Sequence, residues 1–130
     1  MCSISGIIGN NNLLNLKKMM KEQSHRAPDQ SGIFQEENVN IGMGRLKIVD
    51  IKNKNLCPYI DNRVVVSFNG EIYNYKEIKK ILISKGYKFT SKSDIEVIAK
   101  SWIEWDYSMF EKFNGMYAFA IYDKKKLKIL

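Results

Sequence analysis

Cysteine, histidine and proline are scarce in this 130-residue chain: Cys2 and Cys57, His25, and Pro28 and Pro58. Two cysteines are too few for the dense cross-linking of a small secreted scaffold. One histidine with two distant cysteines leaves no closed zinc site of the usual composition, so no metal is expected. Long apolar runs are also missing, and the longest, Met116 to Tyr122, is far too short to cross a bilayer. No basic flank follows Met1, as a signal peptide would need. These absences point to a cytoplasmic, reduced protein with no membrane partner. Repeats, low-complexity tracts and Pro/Gly-rich linkers are lacking, so residues 1–130 read as one domain.

What is present is ordinary globular composition, 45% apolar and 27% charged, with a net charge of +7. A chain of this size can bury a core without staples. The lysines are scattered along the chain, and Lys124-Lys125-Lys126 reads as a turn between apolar strands. A nucleic-acid partner is therefore not expected.

Local patterns give an outline. Ser3 to Gly9 reads as a buried first strand, followed by a helix from about Leu13 to Gln23 with Leu13, Leu16 and Met20 on one face. Ser24 to Ser31 is a loop, with short strands near Gly32–Gln35 and Val39–Met43. Val64 to Phe68 is a β-branched strand running into Asn69-Gly70. Asn74 with Glu77, and Ser93 with Glu96, have capping-box spacing. The first starts a helix carrying Ile78, Ile81 and Leu82 inward and stopped by Gly86. The second starts one carrying Ile95, Ile98, Ala99 and Trp102. Met116–Tyr122 and Lys126–Leu130 form a closing hairpin. Strands, then helices, then strands suggest antiparallel sheets with helices outside.

Cys2 is the residue with the most chemistry. Removal of Met1 would leave it with a free α-amine, so one residue would hold a thiol nucleophile and an adjacent base. An ordinary α-amine titrates at roughly 7.7–8.0, which suits a base near neutral pH. Position alone is a weak signal, since any chain can begin Met-Cys.

Six blocks sharpen it: Met1-Cys2-Ser3-Ile4, His25-Arg26-Ala27-Pro28-Asp29, Arg45-Leu46-Lys47-Ile48-Val49-Asp50, Asn69-Gly70-Glu71-Ile72-Tyr73-Asn74, Ser93-Asp94-Ile95-Glu96-Val97 and Asn114-Gly115-Met116-Tyr117-Ala118-Phe119-Ala120. In this order they resemble the N-terminal glutaminase domain of glutamine-hydrolysing asparagine synthetase and its relatives, the class II glutamine amidotransferases. The resemblance runs from Met1 to Leu130.

That resemblance implies an α+β, Ntn-hydrolase-like four-layer αββα sandwich with antiparallel sheets, truncated at the C-terminus. It implies Cys2 as nucleophile on the glutamine amide carbon, with its amine carrying the proton to departing ammonia. Asn69 and Gly70 would be the oxyanion donors. Losing one such donor typically costs about 2.7–4 kcal/mol of transition-state stabilisation. Arg45 would grip the substrate α-carboxylate with its planar fork, and Asp94 would take the α-ammonium. Ile48 and Val49 would offer backbone groups, and Glu71 would sit beside the oxyanion pair. His25 and Arg26 would shape a bordering loop.

Each of these residues has a plainer reading. Asn-Gly is the strongest short hairpin signal. An acid in the first turn of a helix is stabilising wherever it occurs, and an arginine at a strand end is commonly a surface charge. A papain-like pairing of Cys57 with His25 is a further option, opposed by Pro58 and the lack of a local signature. An inactive remnant that serves only as a folded or partner-binding piece is the alternative function.

Three departures from the family pattern stand out. Ala27 replaces the usual glycine, costing roughly 1–3 kcal/mol if positive φ is required. Met43-Gly44 replaces a more polar pair, and Cys57 is expected to be a packed thiol. Relatives continue with further strands and a synthetase domain that uses ATP and Mg. The glutaminase step itself is expected to need no cofactor, only glutamine and a synthetase domain or subunit to receive the ammonia.

Overall fold

The structure, a computed structural model, describes residues 2–9, 12–46 and 56–130. Strand β1 (Ser3–Ile8) leads to helix α1 (Leu13–Glu22), a 3-10 turn (Ser24–Arg26), and strands β2 (Gln30–Glu36) and β3 (Val39–Arg45). Then come β4 (Tyr59–Ile60), β5 (Val64–Ile72), helices α2 (Tyr75–Ser84) and α3 (Asp94–Trp105), a 3-10 segment (Asp106–Lys112), β6 (Gly115–Asp123) and β7 (Lys128–Ile129). The strands form two antiparallel sheets, ordered β1-β3-β2 and β4-β5-β6-β7.

The sheets face each other, with β5 packed on β1 and β3. Helix α1 lies on β1 and β3, α3 lies on β4 and β5, and α2 packs on α3. The expected αββα layering is what the chain adopts. Strand β5 explains the order of the layers. Val64, Val66, Phe68 and Ile72 join the core under α3, whereas Val65 clusters with Ile41 and Tyr122. A strand buried on both faces reads as an unbroken apolar run, which is the Val64-Val65-Val66 signal.

Local chemistry sets the element ends. Asp61 Oδ1 accepts the N–H groups of Arg63 and Val64, each at 2.8 Å, and turns the chain into β5. Helix α2 stops in a Schellman motif: Gly86 has φ +95°, its N–H donates to Ile83, and Tyr87 N–H donates to Leu82. Asp123 Oδ1 accepts from the N–H groups of Lys125 and Lys126 and closes the β6–β7 turn.

Three local expectations fail, and one conditional cost does not arise. Ser93 and Asn74 precede their helices but make no side-chain cap. Asn74 instead spans to the loop before β6, donating to Lys112 O at 2.8 Å and accepting from Asn114 N at 3.0 Å. Those loop groups lack ladder partners, so a tertiary bond displaces the local one. Glu96 turns back onto Thr90 and Ser91. Ile81 is 47% exposed, because α2 buries only the Ile78–Leu82 edge against α3. Ala27 has φ −142°, so the feared positive-φ cost does not arise.

Candidate active site

The cavity that matters opens where four elements end. Cys2 stands just before β1, and Arg45 closes β3, which pairs with β1 in a register that sets Ser3 opposite Gly44. Asn69, Gly70 and Glu71 come near the end of β5, and Asp94 begins α3. All six of these side chains or backbones line one cavity of about 480 Å3. That volume lies within the roughly 300–1,000 Å3 typical of small-molecule sites. Ile48 and Val49 lie outside the described residues.

Asn69-Gly70 is not a hairpin turn. The strand runs straight through it, pairing Asn69 with Ala118 and Gly70 with Tyr117. Gly70 takes φ +144°, and a Cβ there would strike the Met116 carbonyl oxygen and the Tyr117 Cα. Both facts require glycine, and they let β5 lie close against β6 at this point.

The cavity lining carries charge of both signs. Arg45 is only 5% exposed, so its guanidinium sits in the wall and is not a solvated surface charge. Asp94 Oδ2 accepts from Ile72 N at 3.2 Å, and Oδ1 accepts from Ser93 Oγ at 3.3 Å. Burial pushes the Asp94 carboxyl above its usual range; hydrogen bonds from the Ile72, Asp94 and Ile95 N–H groups and Ser93 oppose this without cancelling it. A cation placed beside Asp94 would relieve that cost. The arrangement therefore offers, within one cavity, a fork for a carboxylate, an acid for an ammonium and a thiol.

Part of the wall was not foreseen. Met116, Tyr117 and Ala118 of β6 line the cavity. Their block was recognised in the sequence, but which β5 residue each would face depends on register, and no local pattern encodes that. Tyr73 and Ser93 also contribute.

The other cysteine plays no part here. Cys57 is buried, and its thiol donates to Met43 O at 3.1 Å. His25 is exposed, with Nδ1 3.0 Å from Glu22 O. Neither residue lines the cavity around Cys2. A second cavity of about 520 Å3 lies between α1 and the 3-10 turn, lined by Lys17, Lys21, Ser24 and Asp29 among others, and holds no nucleophilic thiol. Size does not choose between the two; the chemistry of the lining does. Among the described residues no group of three or more side chains is placed to hold a metal. Among them, too, no helix is long and apolar enough to cross a membrane.

The family model described as a glutamine amidotransferase domain matches residues 1–130. The chain belongs to this family. Similar proteins include asparagine synthetase [glutamine-hydrolyzing] 3 of Bacillus subtilis, 34% identical over 97% of this chain and 22% of that protein. Asparagine synthetase B of Escherichia coli is 35% identical over 97% of this chain and 24% of its own length. The chain thus spans about a quarter or less of the curated relatives it matches. A solved glutamine phosphoribosylpyrophosphate amidotransferase from B. subtilis superposes with TM-score 0.77 at 18% identity, covering 95% of this chain and 35% of that one. That likeness establishes the Ntn-type amidotransferase fold.

Proposed function

We propose that this glutamine amidotransferase domain hydrolyses glutamine to glutamate and ammonia through Cys2, once Met1 is removed. The observation that carries the reading is convergence: Cys2, Arg45, Asn69, Gly70 and Asp94, from four separate elements, share one cavity.

In this reading Arg45 holds the α-carboxylate and Asp94 the α-ammonium, so the side-chain amide extends toward Cys2. The thiolate adds to the amide carbon, and the oxyanion is held by the Asn69 side-chain amide and the Gly70 N–H. Glu71 supports that pair, and Ile48 and Val49 supply backbone contacts to the substrate. The Cys2 α-amine takes the thiol proton and delivers it to the leaving nitrogen, releasing ammonia and leaving a thioester. Water then attacks the thioester, and glutamate departs. The residues need no metal or cofactor for these steps.

The resemblance to asparagine synthetases suggests the use of the ammonia. A synthetase domain or subunit would consume it in an amidation driven by ATP with Mg2+, as in asparagine biosynthesis. A cytoplasmic setting, with neither membrane nor nucleic-acid partner, fits a half-buried thiol nucleophile; neither cysteine forms a disulfide. The test is glutamate release by the Met1-processed protein beside Cys2→Ala. The processed protein should turn over and the variant should not; equal rates would end the proposal.

A further inference from the structure

The Ser93-to-Glu96 spacing looks like a capping box in the sequence, yet the structure uses Glu96 otherwise. Glu96 is 1% exposed and reaches back from the first turn of α3 to the segment before it. Its Oε1 accepts from Thr90 N at 3.0 Å and Thr90 Oγ1 at 3.3 Å. Its Oε2 accepts from Ser91 N at 2.8 Å and Ser91 Oγ at 2.6 Å. Burying a carboxylate is costly unless its lone pairs are filled, and these four donors fill them.

The network does not stop at Ser91. Ser91 Oγ accepts from Ser93 N at 3.3 Å, and Ser93 Oγ donates to Asp94 Oδ1 at 3.3 Å. Helix α2 pins the same turn: Lys79 Nζ donates to Ser91 O at 2.7 Å and sits 4.7 Å from the Phe89 ring centroid. Connected hydrogen bonds thus run from a buried carboxylate outside the cavity to the carboxylate inside it. Glu96 itself does not line the cavity, whereas Ser93 and Asp94 do.

We propose that Glu96 is a positioning residue: through Ser91 and Ser93 it fixes the Asp94 carboxylate for an α-ammonium group. This rests on the reading of the cavity as a glutamine site and adds a determinant of its selectivity for α-amino acids. A single carboxylate recognises an ammonium well only if its orientation is set in advance, since otherwise binding must supply the ordering. Asp94 is oriented by Ser93 on one oxygen and Ile72 N on the other. Replacing Glu96 by glutamine would set an amide N–H₂ against Thr90 N–H or Ser91 N–H, donor against donor, and open the turn that carries Ser93.

The discriminating pair of ligands is glutamine and glutaramate, which is glutamine without its α-amine. Binding is measured by calorimetry in the full-length protein carrying Cys2→Ala, so that no turnover intervenes. Glu96→Gln should weaken glutamine about tenfold and glutaramate less than about twofold. Ser93→Ala leaves the Glu96 knot intact and cuts only its link to Asp94; it should lower glutamine affinity about threefold, again selectively. In the Cys2 protein, Glu96→Gln should raise KM for glutamine while kcat stays within about twofold.

Equal losses for both ligands would show a merely structural role and overturn the proposal, as would unchanged glutamine affinity. Should Glu96→Gln fail to fold, Ser93→Ala alone decides. Glutamine bound selectively but never hydrolysed by the Cys2 protein would sink the hydrolysis reading and leave this one standing. Absence of binding by either ligand overturns both.

Discussion

Two acids at opposite ends of β5 received opposite treatment from the fold. Asp123, at the end of β6, is fully buried, accepts from Trp102 Nε1 at 2.9 Å and pairs with Arg63 at 3.3 Å. Burial pushes its carboxyl up, but Trp102, Arg63 and the Lys126 N–H together hold it below the usual carboxylate range. Asp94 is half-buried, yet its donors do not offset its desolvation, and its carboxyl is raised. One acid is completed by the protein, while the other faces a cavity that also contains a buried arginine and a cysteine. A carboxylate left above its ordinary pKa beside a cavity is a place for a ligand's positive charge; a carboxylate held below it is part of the frame.

The comparison can be broken from either end. The largest effect is expected at the site: Asn69→Ala should lower kcat for glutamine about 10²–10³-fold with little change in unfolding midpoint, measured by glutamate release beside thermal denaturation. A similar loss of stability would mean that Asn69 holds the strand and not the oxyanion.

At the structural end, Asp123→Ala should destabilise the fold by about 2–3 kcal/mol, since it strands the buried Trp102 Nε1–H and unties the β6–β7 turn. Urea denaturation would show it. A loss below about 0.5 kcal/mol, typical of surface substitutions, would show that the Arg63 pair and the turn bonds contribute little.

The smallest effect on folding is expected from Asp94→Asn, which removes a desolvated charge. Its glutamine affinity should fall about tenfold while its thermal midpoint holds or rises. The two acids also give pH dependences of opposite sign. Asp123 binds its proton less tightly folded than unfolded, so its stabilisation is complete above the ordinary value of 3.8 and is lost as pH falls through the lowered folded value. Asp94 binds its proton more tightly folded, so between 3.8 and its raised value its contribution to stability falls as pH rises. Glutamine binding should run the other way, weakening as acid neutralises Asp94. A pH titration of affinity that Asp94→Asn leaves unaltered would assign that dependence to another group.

Much of this was readable from the chain, for reasons specific to each element. The Val64–Val66 run, the Gly86 stop and the Ile95–Trp102 face are local patterns, and local patterns survived folding. Asn74 and Glu96 misled because their side chains had two possible partners: a tertiary one won at Asn74, and the segment just before the helix won at Glu96. Ile81 misled because a helix leaning on another helix buries a narrower stripe than periodicity suggests. For the site, the ordered blocks named Cys2, Arg45, Asn69, Gly70, Glu71 and Asp94, and the structure gathers all six. The β6 wall was missed because strand register joins residues far apart in sequence.

The most direct measurement is covalent trapping of the thiol. A glutamine analogue bearing a diazoketone in place of the amide, incubated with the Met1-processed protein and followed by peptide mass spectrometry, should label Cys2 and spare Cys57. Excess glutamine should protect Cys2. Labelling of Cys57, or labelling of Cys2 that glutamine does not slow, would contradict the claim that this thiol faces a pocket built for glutamine.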